Sequence, residues 1–284
     1  MQSGLNPGLN LSNLKYFYDA VETESISESA RRNFITQSAV SQGIQKLEKA
    51  LGISLITHQR NCFKLTPEGQ NVFFLTQQIF KTLKAITDVA QDHLDVVSGQ
   101  VNIACTQSIA MNLISDALQK TKQIYPQVSV KMKIAKMENI GLLLKRGLMD
   151  LAVVVESEVC DQFDKHVVRK GFFHLYAKSG IQGNIDEGVF VDHSSGLFVD
   201  RLCEMYRKSC KKELKILQEL DSWQVLAKCA QNGIGYCFLP DFLLCDDTSM
   251  LIVDSIKPIP YRIVAIYPKG VHLTRAAKAL LELL

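Results

Sequence analysis

The sequence predicts a mixed α/β protein with an N-terminal winged helix-turn-helix, a long linker helix, and a C-terminal region made of two α/β halves. Three observations carry this. Residues 25–52 read as two short helices, the second with one apolar stripe and a polar, cationic opposite face. After a helix start at Thr66 and Pro67, an apolar seam runs without a breaker from Gly69 to Gly99. Beyond Gly99, strand-like and helix-like runs alternate. At 284 residues the chain is long for one core and allows two or three compact units.

Residues 1–10, rich in Gly, Asn and Pro, are expected to fray. From Leu11 a first helix is marked by Leu14, Phe17, Tyr18 and Val21, an i, i+3, i+4, i+7 set. Ser27 is the expected N-cap of a short helix over Glu28 to Arg32, and a tight connection follows at Asn33 to Ile35. Thr36 then caps the second helix, whose stripe is Val40, Ile44, Leu47 and Leu51. Its other face carries Gln37, Ser41, Gln42, Gln45, Lys46 and Lys49, with Glu48 the one acid among them. Amides, hydroxyls and lysines suit base edges and phosphates, although an ordinary solvated face has the same composition. From Ser27 to Thr66 six basic residues stand against two acids, an excess that fits a phosphate-binding surface or simply a solvated basic one.

The run SLITHQRNCFKLT reads as a hairpin with its turn at Gln59 to Asn61. Arg60 at the tip and Lys64 behind it would make a wing touching phosphate or minor groove. Thr66, Pro67 and Glu68 make a strong helix start. In the helix that follows, Val72, Leu75, Ile79, Leu83, Ile86, Ala90 and Leu94 alternate between spacings of three and four, the seam of a coiled coil. A second apolar set at Phe73, Phe80 and Val89 also needs cover, from a partner or from the same chain.

Further on, VNIA, a helix ending at Tyr125-Pro126, VSVKMKI, a helix from Glu138 to Arg146 and DLAVVV form β, α, β, α, β units of a parallel sheet. FHLYA, VFV, a helix from Leu197 to Lys212, LKIL, a helix from Ser222 to Gln231 and GIGYCFLP repeat the rhythm.

The order of residues in the helix-turn-helix resembles the LysR-type transcriptional regulators. The resemblance runs through Ser25, Ala30, Arg31, Thr36, Gln37, Ser38, Ala39, Val40, Ser41, Ile44, Leu47, Glu48, Leu51, Gly52 and Leu55, then Leu65, Thr66 and Gly69. Asn33, Ile56 and His58 depart from the family's leucine, phenylalanine and arginine. Phe34 is expected to supply the apolar packing that the family's leucine gives at position 33, and His58 stands in place of an arginine that meets phosphate. Later landmarks extend the resemblance over nearly the whole chain: Thr106, Tyr125-Pro126, Gly147 with Asp150-Leu151-Ala152, and Asn232 to Gly235 leading to Leu239-Pro240.

The resemblance implies a winged helix-turn-helix over 1–66, a linker and dimerisation helix over 67–98, and an effector-binding and oligomerisation domain over 99–284. That domain looks like a periplasmic binding protein fold, with one subdomain over about 99–163 and 266–284 and another over about 164–265; the last strand, YRIVAIY, and helix cross back to the first. Gln37, Ser38, Ser41, Gln42 and Gln45 are then expected to read bases, with Thr36 at the helix start, while Arg31, Lys46, Lys49, Arg60 and Lys64 hold phosphates. A small-molecule effector, anionic if Lys136 faces it, is expected between the subdomains at Thr106, Gln107, Ser108, Lys136, Met137, Ser194 and Ser195. The same residue types would serve equally as helix caps. The implied partners are double-stranded DNA bearing an inverted repeat, a second copy of the chain in a dimer or tetramer, and RNA polymerase.

Composition and motifs are consistent with this. Hydrophobic residues make up 47% and charged residues 21%, as in a globular protein, and net charge is +3. No basic leader followed by an apolar run and no stretch of about 18 apolar residues occurs, so a cytoplasmic location without membrane contact is expected. Eight cysteines lack any CxxC pair and read as reduced, buried hydrophobes; Cys203 and Cys210 could be a redox pair, as in a peroxide-sensing branch of the same family. Gly233 and Gly235 lie between a helix and a strand, the reverse of a dinucleotide loop, and no GxxxxGKS/T, HExxH or GxSxG motif is present. Six dispersed histidines do not point to a metal, and Asp246-Asp247 reads as a turn. Neither a cofactor nor enzymatic activity is expected. The alternative is a small-molecule-binding α/β protein or enzyme whose winged domain serves only oligomerisation; an architectural DNA binder leaves the α/β half unexplained.

Overall fold

The computed structural model describes residues 8–59, 62–90, 96–181, 184–192, 195–244, 247–253 and 256–284, with backbone alone at 58, 59, 62, 85 and 88–90. Arg60, Leu94, Ser194 and Asp246, and the side chain of Ala90, therefore lie outside the described residues. The chain divides into two compact units, one reaching to residue 95 and including 145–148, the other holding 96–144 and 149–284.

In the first unit, α1 (Leu11–Glu22) is capped by Asn10, whose Oδ1 accepts the Asn13 N–H at 2.9 Å. Asn13 Nδ2 in turn donates to the Gly8 carbonyl, and a Cβ at Gly8 would stand 2.6 Å from the Lys46 carbonyl oxygen. Residues 8–10 are thus packed rather than frayed. Helix α2 (Ile26–Arg32) begins earlier than expected, because Ser25 and not Ser27 accepts the Glu28 N–H. Helix α3 (Gln37–Leu51) starts at Thr36, whose hydroxyl accepts the Ala39 N–H, and stops at Gly52, which takes the left-handed φ of +70°. Val40, Ile44 and Leu47 are buried against Leu14, Phe17 and Ala20, so the expected stripe is the core face. Gly43 lets α1 close on α3, since a Cβ there would meet the Tyr16 ring at 2.7 Å.

Strands β1 (Ile56–Gln59) and β2 (Cys62–Leu65) pair antiparallel as the wing. Helix α4 (Pro67–Ala90) starts where expected, Thr66 Oγ1 accepting the Gly69 N–H at 2.8 Å. Its two apolar sets part company. Phe73 stacks on Tyr18 and meets Phe17 edge-on, and Phe80 packs on Tyr18, so this set is covered by α1. Leu75, Ile79 and Ile86 stay 55%, 38% and 61% exposed, with Val72 and Leu83 half-buried.

The second unit is built on one sheet in the order β4-β3-β5-β11-β6-β9-β7-β8. In its first half β3 (Gly99–Cys105) lies parallel to β4 (Val128–Ile134) and β5 (Leu151–Val155). These are joined by α5 (Gln107–Ile109), a π-helical turn over Ala110–Ile114, α6 (Ser115–Ile124) and α7 (Met137–Lys145). In the second half β7 (Val189–Asp192) lies parallel to β8 (Ile216–Leu220) and β9 (Tyr236–Pro240), with α8 (Gly196–Cys210) and α9 (Trp223–Gln231) between them.

The expectation of a wholly parallel sheet is corrected where the halves meet. The long β6 (Phe163–Lys178) and β11 (Ile259–Pro268) pair antiparallel with each other. β11 also pairs with β5, and β6 continues to β9 and to the short β10 (Met250–Ile252). Both strands serve both halves, and α10 (Arg275–Glu282) returns to pack on β3 and α6. Phe173 sits at the middle of β6, 4.4 Å from the Phe198 ring and 5.1 Å from Phe238, with Trp223 and Tyr261 edge-on. That aromatic hub holds the second half on the shared strands.

Candidate DNA-reading face and effector cleft

On α3 the groups Gln37, Ser38, Gln42, Gln45, Lys46 and Lys49 are exposed, as is Thr36 before them, and Ser41 is half-buried. At 100° per residue they occupy about half the helix circumference, a face that a major groove can accept. Glu48 departs from the sequence reading. Its Oε1 accepts the backbone N–H groups of Leu55 and Ile56, at 2.7 and 3.2 Å, so the acid is drawn away to pin the start of β1. The outward face is left without a carboxylate. Lys64 is exposed on β2. Arg31 is tied to Glu28 through two hydrogen bonds of 3.0 and 2.7 Å, which hold the Glu28 carboxyl below its ordinary range.

The turn between α2 and α3 also departs from expectation. Phe34 does not take over the packing role of the family's leucine; it is 95% exposed, with φ +55°. Asn33 instead turns inward and donates to Asp19 Oδ2 and to the Ser29 carbonyl. A hydrogen-bonded amide at Asn33 thus holds the turn in place of the apolar packing expected from Phe34.

In the second unit a cleft of about 1490 Å³ lies between the halves, lined among others by Lys136, Lys170, Phe172, Ser195, Arg201 and Asp221. Of the expected effector residues that are described, only Lys136 and Ser195 line it. Lys136 is ion-paired with Asp221, which raises the lysine's pKa and answers its charge. Its presence therefore does not by itself select an anion. Met137 opens α7 and is half-buried, Gln107 is exposed and Ser108 buried.

Thr106 and Ser195 stand at the N-cap positions of α5 and α8, yet neither side chain makes a cap hydrogen bond. Thr36, Ser222 and Thr274 do cap their helices, so these two hydroxyls are set apart. Ser195 Oγ accepts the indole N–H of Trp223 at 2.7 Å. Thr106 Oγ1 is buried without a partner among the described residues, as is Gln224 Nε2 near the start of α9. Because α9 packs on α5, these two groups come from adjoining elements of opposite halves. Sequence reasoning does not single out Gln224; its signal is a helix start directly after a parallel strand, the end at which such sheets bind ligands.

Among the described residues the cysteines show no built redox pair. Cys203 and Cys210 are seven residues apart on α8, about 10.5 Å along its axis, beyond the roughly 7 Å between Cα atoms that a disulfide spans. Burial pushes the thiols of Cys105 and Cys237 up to about 11 and about 12. Among the described residues no group of His, Cys, Asp and Glu could hold a metal ion, and no helix is long and apolar enough to cross a membrane.

A winged helix-turn-helix with an acid-free reading face, carried with a two-halved α/β unit that encloses a cleft, defines the class of ligand-responsive DNA-binding regulators. The family model described as the LysR substrate binding domain matches residues 95–284, and that of the bacterial regulatory helix-turn-helix protein, lysR family, matches 11–70. The chain belongs to the LysR family of transcriptional regulators. Among curated relatives it is 24% identical to the HTH-type transcriptional regulator EstR of Acinetobacter baylyi, covering 90% of this chain and 89% of the relative. It is also 24% identical to TdcA of Escherichia coli, over 95% and 90%. Its fold matches a full-length OxyR variant from Pseudomonas aeruginosa (TM-score 0.73, 16% identity, 97% of each chain). It also matches Vibrio fischeri DarR in complex with DNA (TM-score 0.55, 17% identity, 97% of this chain and 98% of that one).

Proposed function

We propose that this regulator reads an imperfect inverted repeat through α3 and is switched by a small molecule held between the halves of its second unit. The observation that carries the DNA half is the withdrawal of Glu48, which leaves only amides, hydroxyls and lysines facing outward. Gln37, Ser38, Ser41, Gln42 and Gln45 read bases, and Lys46, Lys49, Lys64 and Arg60 hold phosphates. Arg31 joins them once DNA draws it from Glu28. The DNA-bound state of the DarR neighbour supports the same use of the fold here.

The exposed seam of Leu75, Ile79 and Ile86 pairs two copies, giving the two reading helices that a repeat requires, and association of second units makes a tetramer. The effector sits at the strand ends, where Thr106 and Gln224 both offer donors and Ser195 is fixed by Trp223. Working boundaries at 66/67 and 98/99 separate reading, linking and sensing parts. The protein acts in the cytoplasm, catalyses no reaction, and meets RNA polymerase at the promoter.

A mobility-shift assay on genomic fragments with polyanion competitor tests the DNA half: a band that survives competition is expected, and complete loss contradicts it. A thermal-shift screen of metabolites tests the sensing half, since a ligand at about 100 times its Kd stabilises by about 2.7 kcal/mol.

A further inference from the structure

Phe34 is 95% exposed in a turn that is otherwise fixed on both sides. Asn33 is anchored by Asp19 and Ser29, Phe34 N–H bonds the Arg31 carbonyl, and Ile35 N–H bonds the Ala30 carbonyl. The ring therefore projects from a rigid support. Its φ of +55° is a conformation that bulky residues rarely adopt and that asparagine or glycine accept easily. A strained backbone and a fully wetted aromatic ring both oppose phenylalanine here, and such features collect at functional sites. The turn is flanked by exposed Arg31 and Arg32 before it and by exposed Thr36, Gln37 and Ser38 after it. Phe34 thus continues the reading face at the end of α3 that enters a groove first.

We propose that Phe34 is a further specificity-determining residue, its ring packing on the C5-methyl of a thymine at one position of each half-site. This rests on the assignment of α3 as the reading helix. An aromatic ring has no hydrogen bond to offer a base edge, and the thymine methyl is the one apolar group the major groove displays. With the backbone of the turn already fixed, only the two side-chain torsions of Phe34 lose freedom in packing there.

The test uses duplexes selected from random DNA with the full chain, then resynthesised with single thymines replaced by uracil, which removes only the methyl. In the wild type one such replacement per half-site is expected to weaken binding about five-fold. Phe34→Asn and Phe34→Ala are expected to weaken binding to the thymine duplex by a similar factor and to be insensitive to the uracil replacement. Phe34→Asn should keep or raise the melting temperature, which separates an effect on DNA from an effect on folding. Uracil effects equal in wild type and variants, or variants that bind the thymine duplex as the wild type does, would overturn the proposal. Failure of the wild type to select any sequence would instead overturn the reading-helix assignment.

Discussion

Asn33 Nδ2 donates to Asp19 Oδ2 at 2.7 Å, joining the turn of the helix-turn-helix to a carboxylate whose side chain is only 3% exposed. Lys15 is ion-paired with the same carboxylate, so Asp19 links α1, the turn and the lysine in one network. Replacing Asn33 by the family's leucine removes a donor from a buried acid. The expected loss is about 1–3 kcal/mol, even though leucine is the usual residue of the family there. Urea midpoints of Asn33→Leu, Asp19→Ala and the double variant check this. The double variant should lose clearly less than the sum of the singles, and strict additivity would contradict the network.

Gln42→Ala and Lys49→Ala should behave differently on DNA. Loss of the amide alters preference at particular base pairs, by about 1–3 kcal/mol for a bidentate pairing. Loss of the lysine weakens all sequences alike and flattens the salt slope. Titration on selected and random duplexes at several salt concentrations separates them, and identical losses on both duplexes would refute the division of roles.

Ile79 is 38% exposed on the seam of α4, whereas Phe73 and Phe80 are covered by α1. Ile79→Asp should therefore leave the first unit folded and abolish pairing through α4. Sedimentation equilibrium is expected to show a smaller mass than the wild type; an unchanged mass would exclude this seam as the interface.

Native protein treated with a thiol reagent near pH 8 should be labelled at Cys210, which is exposed, and spared at Cys105, Cys160 and Cys237, which are buried. Peroxide should produce no Cys203–Cys210 bridge. Peptide mapping that found Cys105 or Cys237 labelled as fast as Cys210 would contradict the packing of the sheet.

Thr106→Val keeps shape and removes only the hydroxyl. Since that hydroxyl caps nothing and has no partner among the described residues, folding and ligand-free DNA affinity should be unchanged. The influence of the effector on DNA binding should disappear. A full effector response in the variant would remove Thr106 from the site.

Much of the first unit is legible because its signals are local. The period of Val40, Ile44 and Leu47, the caps at Thr36 and Thr66, and the Gly52 stop each depend on neighbours within a few residues. What the sequence conceals depends on distant partners. Glu48 belongs to the face of α3 by periodicity, and only the arrival of Leu55 and Ile56 turns it inward. Asn33, and not Phe34, holds the turn because Asp19, fourteen residues upstream, offers a buried acceptor. In the second unit the parallel units are readable from alternation. The antiparallel sharing of β6 and β11 is not, since pairing partners nearly a hundred residues apart leave no periodic trace. Thr106 and Ser195 are legible as hydroxyls at helix starts. Whether such a hydroxyl caps or waits for a ligand is decided by geometry alone.

Selection of bound sequences from a pool of random duplexes by the full chain tests most directly whether α3 makes this protein a sequence-reading regulator. The expected product is an imperfect inverted repeat whose half-sites lie about one helical turn apart, with the preferred bases shifted when Gln42→Ala is selected in parallel. Bound sequences indistinguishable from the starting pool would contradict it.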